Sequence, residues 1–371
     1  MYIKTITTDD EFDEVKNEWL TFERKVNNQN ITSSYIWQRT WWKHFKDYEE
    51  GNLGHNKRLC ILFLYNDENE LRAIAPFCEV TRNVRGLKYK TIEFLAQQWG
   101  ATYLDIITDK LTKQECNFIF DWLKRNRRYD LVELRSIPEF SPNFDLYKGN
   151  ITVLSACPVV KIGDYGNWDN YIRKEYSKSL RQNLRTAKNR MKRENVDYQE
   201  EVLDGIGGAD LTEIEQVSRS KLIDHKGCIY NDLRKESFLK DIYYSSELPS
   251  NIVKLILNDQ LASYRINFLY DQSKYCFDAS YDRNYRHYDL GTLLVDLNVR
   301  DSFEKNLSTH CMGAGVDFYK LKFTKNIIKI YTFLKRGNTL KGMPLYLLKR
   351  KSNQRVASKF EEELRENLER G

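Results

Sequence analysis

The sequence predicts an α/β protein built on mixed (α+β) sheets and divided into two domains. Three observations carry this. Period-two alternation of apolar and polar residues marks strands in both halves, and apolar residues at helical spacing mark helices between them. The order helix–helix–strand–strand–helix–strand, which runs through Arg135, is echoed after about residue 155. A chain of 371 residues is also long enough for two domains.

In the first half, Met1–Phe12 reads as a strand running into a helix start at Asp9-Asp10-Glu11. Phe12, Val15, Trp19, Phe22 and Val26 place an amphipathic helix over Asp9–Val26, and Trp37, Trp41, Trp42 and Phe45 mark a second. Strands follow at Leu59–Tyr65 and Leu71–Val80 around a turn at Asn66–Asn69. Thr91–Leu95 and Tyr103–Ile107 are further strand candidates, Cys116–Lys124 is helical, and Tyr129–Arg135 closes the half as a strand. Ser136–Tyr147, with Pro138, Ser141, Pro142 and Asn143, is the best linker by composition. The domains are therefore expected at 1–155 and 156–371.

In the second half, Cys157–Ile162 is a strand, a helix opens near Trp168, and another covers Lys178–Arg193. A strand at Val196–Glu201, helices at Leu211–Ile223 and Leu233–Tyr244, and a strand at Ile252–Leu257 lead to a hairpin. Leu261–Tyr270 and Lys274–Asp282 both alternate strictly. With Asp271–Lys274 as the loop, Asn267 falls opposite Asp278 and Arg265 opposite Ser280, on one polar face. After the hairpin come Arg286–Thr292, a helix to about Asn306, and a short strand carrying Asp317. Thr324–Leu334 is mixed, and Tyr346–Lys349 is a candidate last strand. The charged helix Ser358–Arg370 reads equally as a dimer contact or a solvated tail.

Composition narrows the class. Hydrophobic residues at 41% and charged residues at 30% are ordinary for a soluble enzyme, and 13% aromatic content argues against disorder. No apolar run approaches the roughly 18 residues of a membrane span. Seven scattered cysteines, never spaced as CxxC, and no apolar leader fit a reduced cytoplasmic compartment. Five histidines without HxxxH or HExxH pairing speak against a metal site. A net charge of +6 suits a polyanionic small ligand as well as nucleic acid.

The stretch from Arg173 to Glu194 holds nine Lys/Arg against two Glu. Leu180, Leu184, Ala187 and Met191 form its buried stripe, and Arg181, Arg185, Lys188 and Lys192 line an adjoining face. Four cations on one face repel one another by about 0.2–0.5 kcal/mol per pair, so an anion such as a diphosphate suits them. A solvated face is the plainer alternative.

The hairpin, Tyr288-Asp289-Leu290-Gly291-Thr292-Leu293-Leu294 and the later Gly315-Val316-Asp317-Phe318 resemble the CelD/BcsL-type group of GNAT-fold N-acyltransferases. The likeness reaches upstream to Trp168 and the basic helix, and more faintly to Phe94–Asp105. It implies tandem GNAT-like domains, the first degenerate and the C-terminal one active, with acyl-CoA as cosubstrate. The loop would offer backbone N–H groups and a helix N-terminus to the coenzyme pyrophosphate, through Tyr288, Leu290, Gly291 and Thr292. Asp289 departs from that pattern and reads as the N-cap.

For the chemistry, Asp278 is a candidate general base, or else a salt-bridge partner of Arg265. His287 is an alternative base or a structural histidine. Asp317 matches the family aspartate, and Tyr319 is a candidate proton donor to the leaving thiolate. Arg181, Arg185, Lys188, Arg265, Asn267 and Lys320 are candidate acceptor-binding residues, and Cys276 and Cys311 read as core. The resemblance implies transfer to the amine of a nucleotide-linked amino sugar for surface polysaccharides, by direct attack in a ternary complex. Two alternatives stand: a FemABX-type transferase using aminoacyl-tRNA, and a non-enzymatic RNA or membrane-surface protein.

Overall fold

Where a threonine or serine precedes an apolar helical pattern, its hydroxyl caps the helix that follows. Thr8 and Thr112 do so in reciprocal boxes with Glu11 and Glu115, and Ser177 accepts from the Leu180 N–H. The computed structural model describes residues 1–48, 55–84, 86–224 and 227–370. They form two units: Met1–Ala156 with Ile328–Glu363, and Cys157–Ile327 with Leu364–Gly371. A single division at 155/156 would have put Ile328–Glu363 in the second domain. That segment groups with the first unit because its strand pairs there.

The first unit begins with β1 (Tyr2–Ile6), α1 (Asp9–Glu14), α2 (Lys16–Lys25) and α3 (Tyr35–Phe45). It continues through β2 (His55–Tyr65), β3 (Leu71–Val84), β4 (Leu87–Phe94), α4 (Lys113–Asn126), β5 (Leu131–Pro138) and α5 (Phe144–Tyr147). The strand β6 (Ile151–Lys161) then carries the chain into the second unit. There follow α6 (Trp168–Glu175), α7 (Lys178–Arg193), β7 (Tyr198–Asp204), α8 (Gly208–Arg219), α9 (Leu233–Tyr243) and β8 (Ser250–Leu257). The hairpin is β9 (Gln260–Tyr270) and β10 (Ser273–Tyr281), followed by α10 (Leu290–Glu304), β11 (Thr309–Cys311) and α11 (Phe318–Leu321). The chain closes with β12 (Ile327–Arg336) and α12 (Gly342–Arg370).

Strand order in the first unit is β1-β2-β3-β4-β5-β12, antiparallel except for the parallel pair β4–β5. The second unit is β6-β11-β10-β9-β8-β7, antiparallel except for β10–β11. Both are mixed sheets. The helix expected over Asp9–Val26 breaks at Val15, whose ψ of 3° leaves the helical basin. Tyr103–Ile107 is not a strand: the Tyr103 and Asp105 N–H groups go to Thr32 and Ser33 hydroxyls, and only Ile107 bridges to Ile74. Tyr346–Lys349 lies inside α12, which absorbs the expected C-terminal helix as well.

In the second unit, α7 and α10 pack against β8 and β9 through Ala187, Met191, Leu290, Leu293, Leu294 and Leu297 on Val253, Leu255 and Ala262. Each fully buried Leu, Val or Met among them contributes about 1.5–3 kcal/mol, which α7's intrinsic propensity alone would not supply. An aromatic cluster of Tyr165, Trp168, Tyr171, Tyr176 and Phe303 closes the start of α6 and α7 over the same helix α10.

Candidate functional site

The hairpin turn is tighter than the sequence pattern implies, and this reassigns every facing pair. Asp271 and Gln272 both take positive φ, +45° and +56°, so the loop has two residues and Tyr270 pairs with Ser273. Cys276, not Asp278, then faces Asn267. A bulge at Phe277 sets Phe277 and Asp278 together against Ile266, and Ala279 against Arg265.

The bulge turns Asp278 away from Arg265. Its Oδ2 accepts hydrogen bonds from the Tyr230 and Tyr264 hydroxyls, both at 2.9 Å. Phe277 packs on Phe268 on that same face. The salt bridge to Arg265 is therefore not formed, and Asp278 is half-buried with its Oδ1 left without a hydrogen bond among the described residues.

The opposite face holds a buried polar network. The side-chain amides of Asn267 and Asn298 bond reciprocally at 2.9 and 3.0 Å, and Asn267 also donates to Asn251 at 3.1 Å. Asn298 donates to Cys276 Sγ at 3.2 Å, the His310 Nε2 lies 3.4 Å from that sulfur, and His310 Nδ1 lies 2.8 Å from Ser302 Oγ. Burial, with the Lys274 and Arg265 charges nearby, pushes His310 well below its ordinary range. Lys274 is paired with Asp301. Asn267 is thus fully enclosed and satisfied by its own protein, which removes it from the acceptor-binding set. Cys276 and His310, which share no sequence motif, meet across the parallel strands.

Beyond these residues the sheet opens. β10 pairs with β11 only over Ser273–Tyr275 and Thr309–Cys311; beyond that it continues to Tyr281 paired with β9 but not with β11. The chain after Cys311 turns aside, with Met312 N–H bonding Pro158 and positive φ at Gly313 and Gly315. At Gly313 a Cβ would come 3.2 Å from the Cys276 carbonyl oxygen, so only glycine passes there easily. Lys320 holds this turn: its ammonium reaches the carbonyls of Ala314 (2.9 Å), Gly315 (3.2 Å) and Gly313 (3.4 Å) and the Asp317 carboxylate (3.0 Å). Lys320 is buried and saturated, so it positions the loop and has no donor left for an acceptor. Asp317 is exposed and sits at the N-cap position just before the short helix α11, where a strand was expected. Tyr319, on α11, is 40% exposed.

At the far end of β10, Asp289 takes φ +53° and begins α10. Its carboxylate accepts from Thr292 Oγ1 at 2.8 Å and makes no cap bond to a backbone N–H. Tyr288 gives its hydroxyl to Glu194 at 2.5 Å, and Leu290 is core. Both hydroxyl protons are engaged within the protein, so the donors left for an anion are the first N–H groups of α10, unpaired within the helix. A Cβ on Gly291 would meet nothing within 4 Å, so space lies open before this helix start. His287 is exposed with its ring against Tyr288, and its carbonyl accepts from Arg190 at 2.5 Å.

On α7, Leu180, Ala187 and Met191 are buried as expected, while Leu184 is only partly buried. Lys188, however, is neutralised: Glu200 accepts from it at 2.8 Å and also takes Tyr198 and Arg300. Although burial opposes its charge, these bonds draw Glu200 down to about 2. Arg181 and Arg185 are exposed and carry no ion pair among the described residues.

Residues 178–321, from α7 to the end of α11, match the acetyltransferase (GNAT) domain family. Over that stretch the second unit is similar to a GNAT-type acetyltransferase domain. No curated protein matches the chain by sequence. Among solved structures, FemX shares the fold at 12% identity and a TM-score of 0.57, over 94% of this chain and 99% of that one. A conserved protein of unknown function from Bacteroides thetaiotaomicron does so at 11% identity and 0.53, over 90% and 100%. The matched stretch contains the opening between β10 and β11, the start of α10 and every candidate residue of the acyltransferase domain.

One acid outside that domain was not singled out from sequence. Asp105 in the first unit is buried and pushed up to about 6 by that burial, with hydrogen bonds from Ser141, the Ile106 N–H and Tyr147 only partly offsetting it. The Ile106 and Tyr147 bonds both go to Oδ1, and Oδ2 has no hydrogen-bond partner among the described residues. Nothing in its Leu-Asp-Ile-Ile context distinguishes it from a strand residue.

Proposed function

We propose that the acyltransferase domain is of the CelD/BcsL type and moves an acyl group from acyl-CoA directly to an amine in a ternary complex. The acceptor is an amino sugar carried on a nucleotide and used for surface polysaccharide. The observation that carries the reading is the parting of β10 from β11 beyond Cys276, with the start of α10 at the end of the same strand. A thioester lying in that opening would have its pyrophosphate at the N–H groups of Leu290 and Gly291. It would have its carbonyl beside the unpaired edge of β10.

In this reading the amine enters on the Asp278 face. It attacks the thioester carbonyl and gives its proton to Asp278 Oδ1, while Tyr230 and Tyr264 fix the carboxylate through Oδ2. The tetrahedral intermediate collapses with loss of the coenzyme thiolate, which Tyr319 protonates from the other face. Arg181 and Arg185 supply the diphosphate contacts that Lys188 and Lys320 do not.

Calorimetric titration of the full chain with coenzyme A, dTDP and UDP tests this. Nucleotide binding lost in Arg181→Ala/Arg185→Ala, with coenzyme A binding kept, supports the sugar-nucleotide acceptor. Coenzyme A binding lost in that variant instead assigns the arginines to the donor. No nucleotide binding by the unaltered chain removes the nucleotide-linked acceptor.

A further inference from the structure

Arg265 is a buried cation without a counter-charge. It lies on β9 opposite Ala279 and is only 7% exposed. Among the described residues no carboxylate pairs with it, and its Nε has no hydrogen-bond acceptor. Its neighbours are the Cys276 thiol and the Tyr319 hydroxyl, at the point where β10 leaves β11.

A guanidinium taken out of water with nothing to balance it is strongly unfavourable. Proteins keep such a group where a ligand completes the pair. The other nearby cations are already balanced, Lys274 by Asp301 and Lys320 by Asp317 and three carbonyls. One unit of positive charge is therefore left over at the opening. It matches the single charge of a carboxylate, whose two oxygens fit the planar fork of an arginine.

We infer that Arg265 is the receptor for a carboxylate group on one of the two substrates, held in the opening between β10 and β11 beside Tyr319. This deepens the acyl-transfer reading by naming a chemical class: either the acyl chain ends in a second carboxylate, or the amine acceptor bears one. Arg265 acts here as a specificity determinant rather than as acid or base.

The first test does not depend on acyl transfer. Thermal unfolding of the full chain and of Arg265→Met is followed in sodium succinate and in sodium chloride of equal ionic strength. Because no carboxylate among the described residues pairs with the arginine, the variant is expected to melt at or above the unaltered chain in chloride. Succinate is expected to raise the melting temperature of the unaltered chain and not that of the variant. A variant that melts several degrees lower, with succinate acting alike on both, overturns the inference and makes Arg265 structural. Arg265→Lys, which keeps the charge and loses the fork, is expected to respond to succinate weakly.

The source is then resolved by calorimetry. Succinyl-CoA binding at least about tenfold tighter than acetyl-CoA, a margin lost in Arg265→Met, places the carboxylate on the donor. With coenzyme A bound, β-alanine binding over ethylamine by the same margin places it on the acceptor. Where coenzyme A binds, absence of both preferences overturns the inference. If coenzyme A fails to bind while the succinate result holds, the acyl-CoA reading falls and the carboxylate site stands.

Discussion

Tyr264 donates its hydroxyl to Asp278 at 2.9 Å across the β9–β10 pair, on the face of the sheet opposite Arg265. Tyr230 repeats the contact from a different segment. Two phenols therefore fix one carboxylate oxygen and, among the described residues, leave the other without a hydrogen bond, which suits the proposed role of proton acceptor.

Replacing Asp278 separates its two roles. Asp278→Ala strands two buried hydroxyls, at about 1–3 kcal/mol each, and urea unfolding should show a loss of about 2–6 kcal/mol. Asp278→Asn keeps an acceptor for the phenols and should lose clearly less. In an acyl-transfer assay, Asp278→Asn should nevertheless fall by about 10²–10⁴-fold. A stable Asp278→Asn with full turnover would leave Asp278 a structural anchor.

Lys320 offers a contrasting case, since its ammonium is spent on the Gly313–Gly315 turn. Lys320→Met should lower stability by about 1–2 kcal/mol, because Asp317 is exposed enough to regain water. It should weaken coenzyme A binding by about tenfold through loosening of the turn. Calorimetry on the folded variant checks this, and unchanged affinity would separate the turn from the ligand.

Asp105 gives a pH dependence of definite sign. Its pKa is raised from 3.8 to about 6 in the folded state, so the stability it contributes is full below 3.8 and lost as pH rises through about 6. Above pH 6 the buried charge is a liability of up to about 3 kcal/mol. Asp105→Asn should therefore be more stable than the unaltered chain at pH 8 and no more stable at pH 4. Melting curves at the two values decide it, and a parallel offset at both would rule out titration of this group.

The alternation of Leu261–Tyr270 and the cap-and-stripe pattern of Ser177–Met191 were legible because each is a local pattern with a single physical cause. The side on which Asp278 emerges was not, because one bulged residue reverses the parity of everything after it. A polar strand face also read as a substrate face. Asn267 instead meets Asn298, one turn before Asp301 and Ser302 on α10. The loss of Lys188 to Glu200 and of Lys320 to its own loop could not be read from spacing, since both depend on tertiary contacts. Arg265 kept its standing as a binding candidate for a reason the pattern did not contain: no carboxylate among the described residues was spared for it.

Coenzyme A titration of the full chain beside Gly291→Ala and Gly291→Glu tests the central claim most directly. A Cβ at this position meets nothing within 4 Å, so both variants should fold, and melting curves verify that they do. Coenzyme A should bind the unaltered chain and Gly291→Ala alike, and Gly291→Glu, which sets a carboxylate before the start of α10, should not bind it measurably. Equal binding by all three would move the cofactor away from this helix start. No binding by the unaltered chain would contradict acyl-CoA dependence altogether.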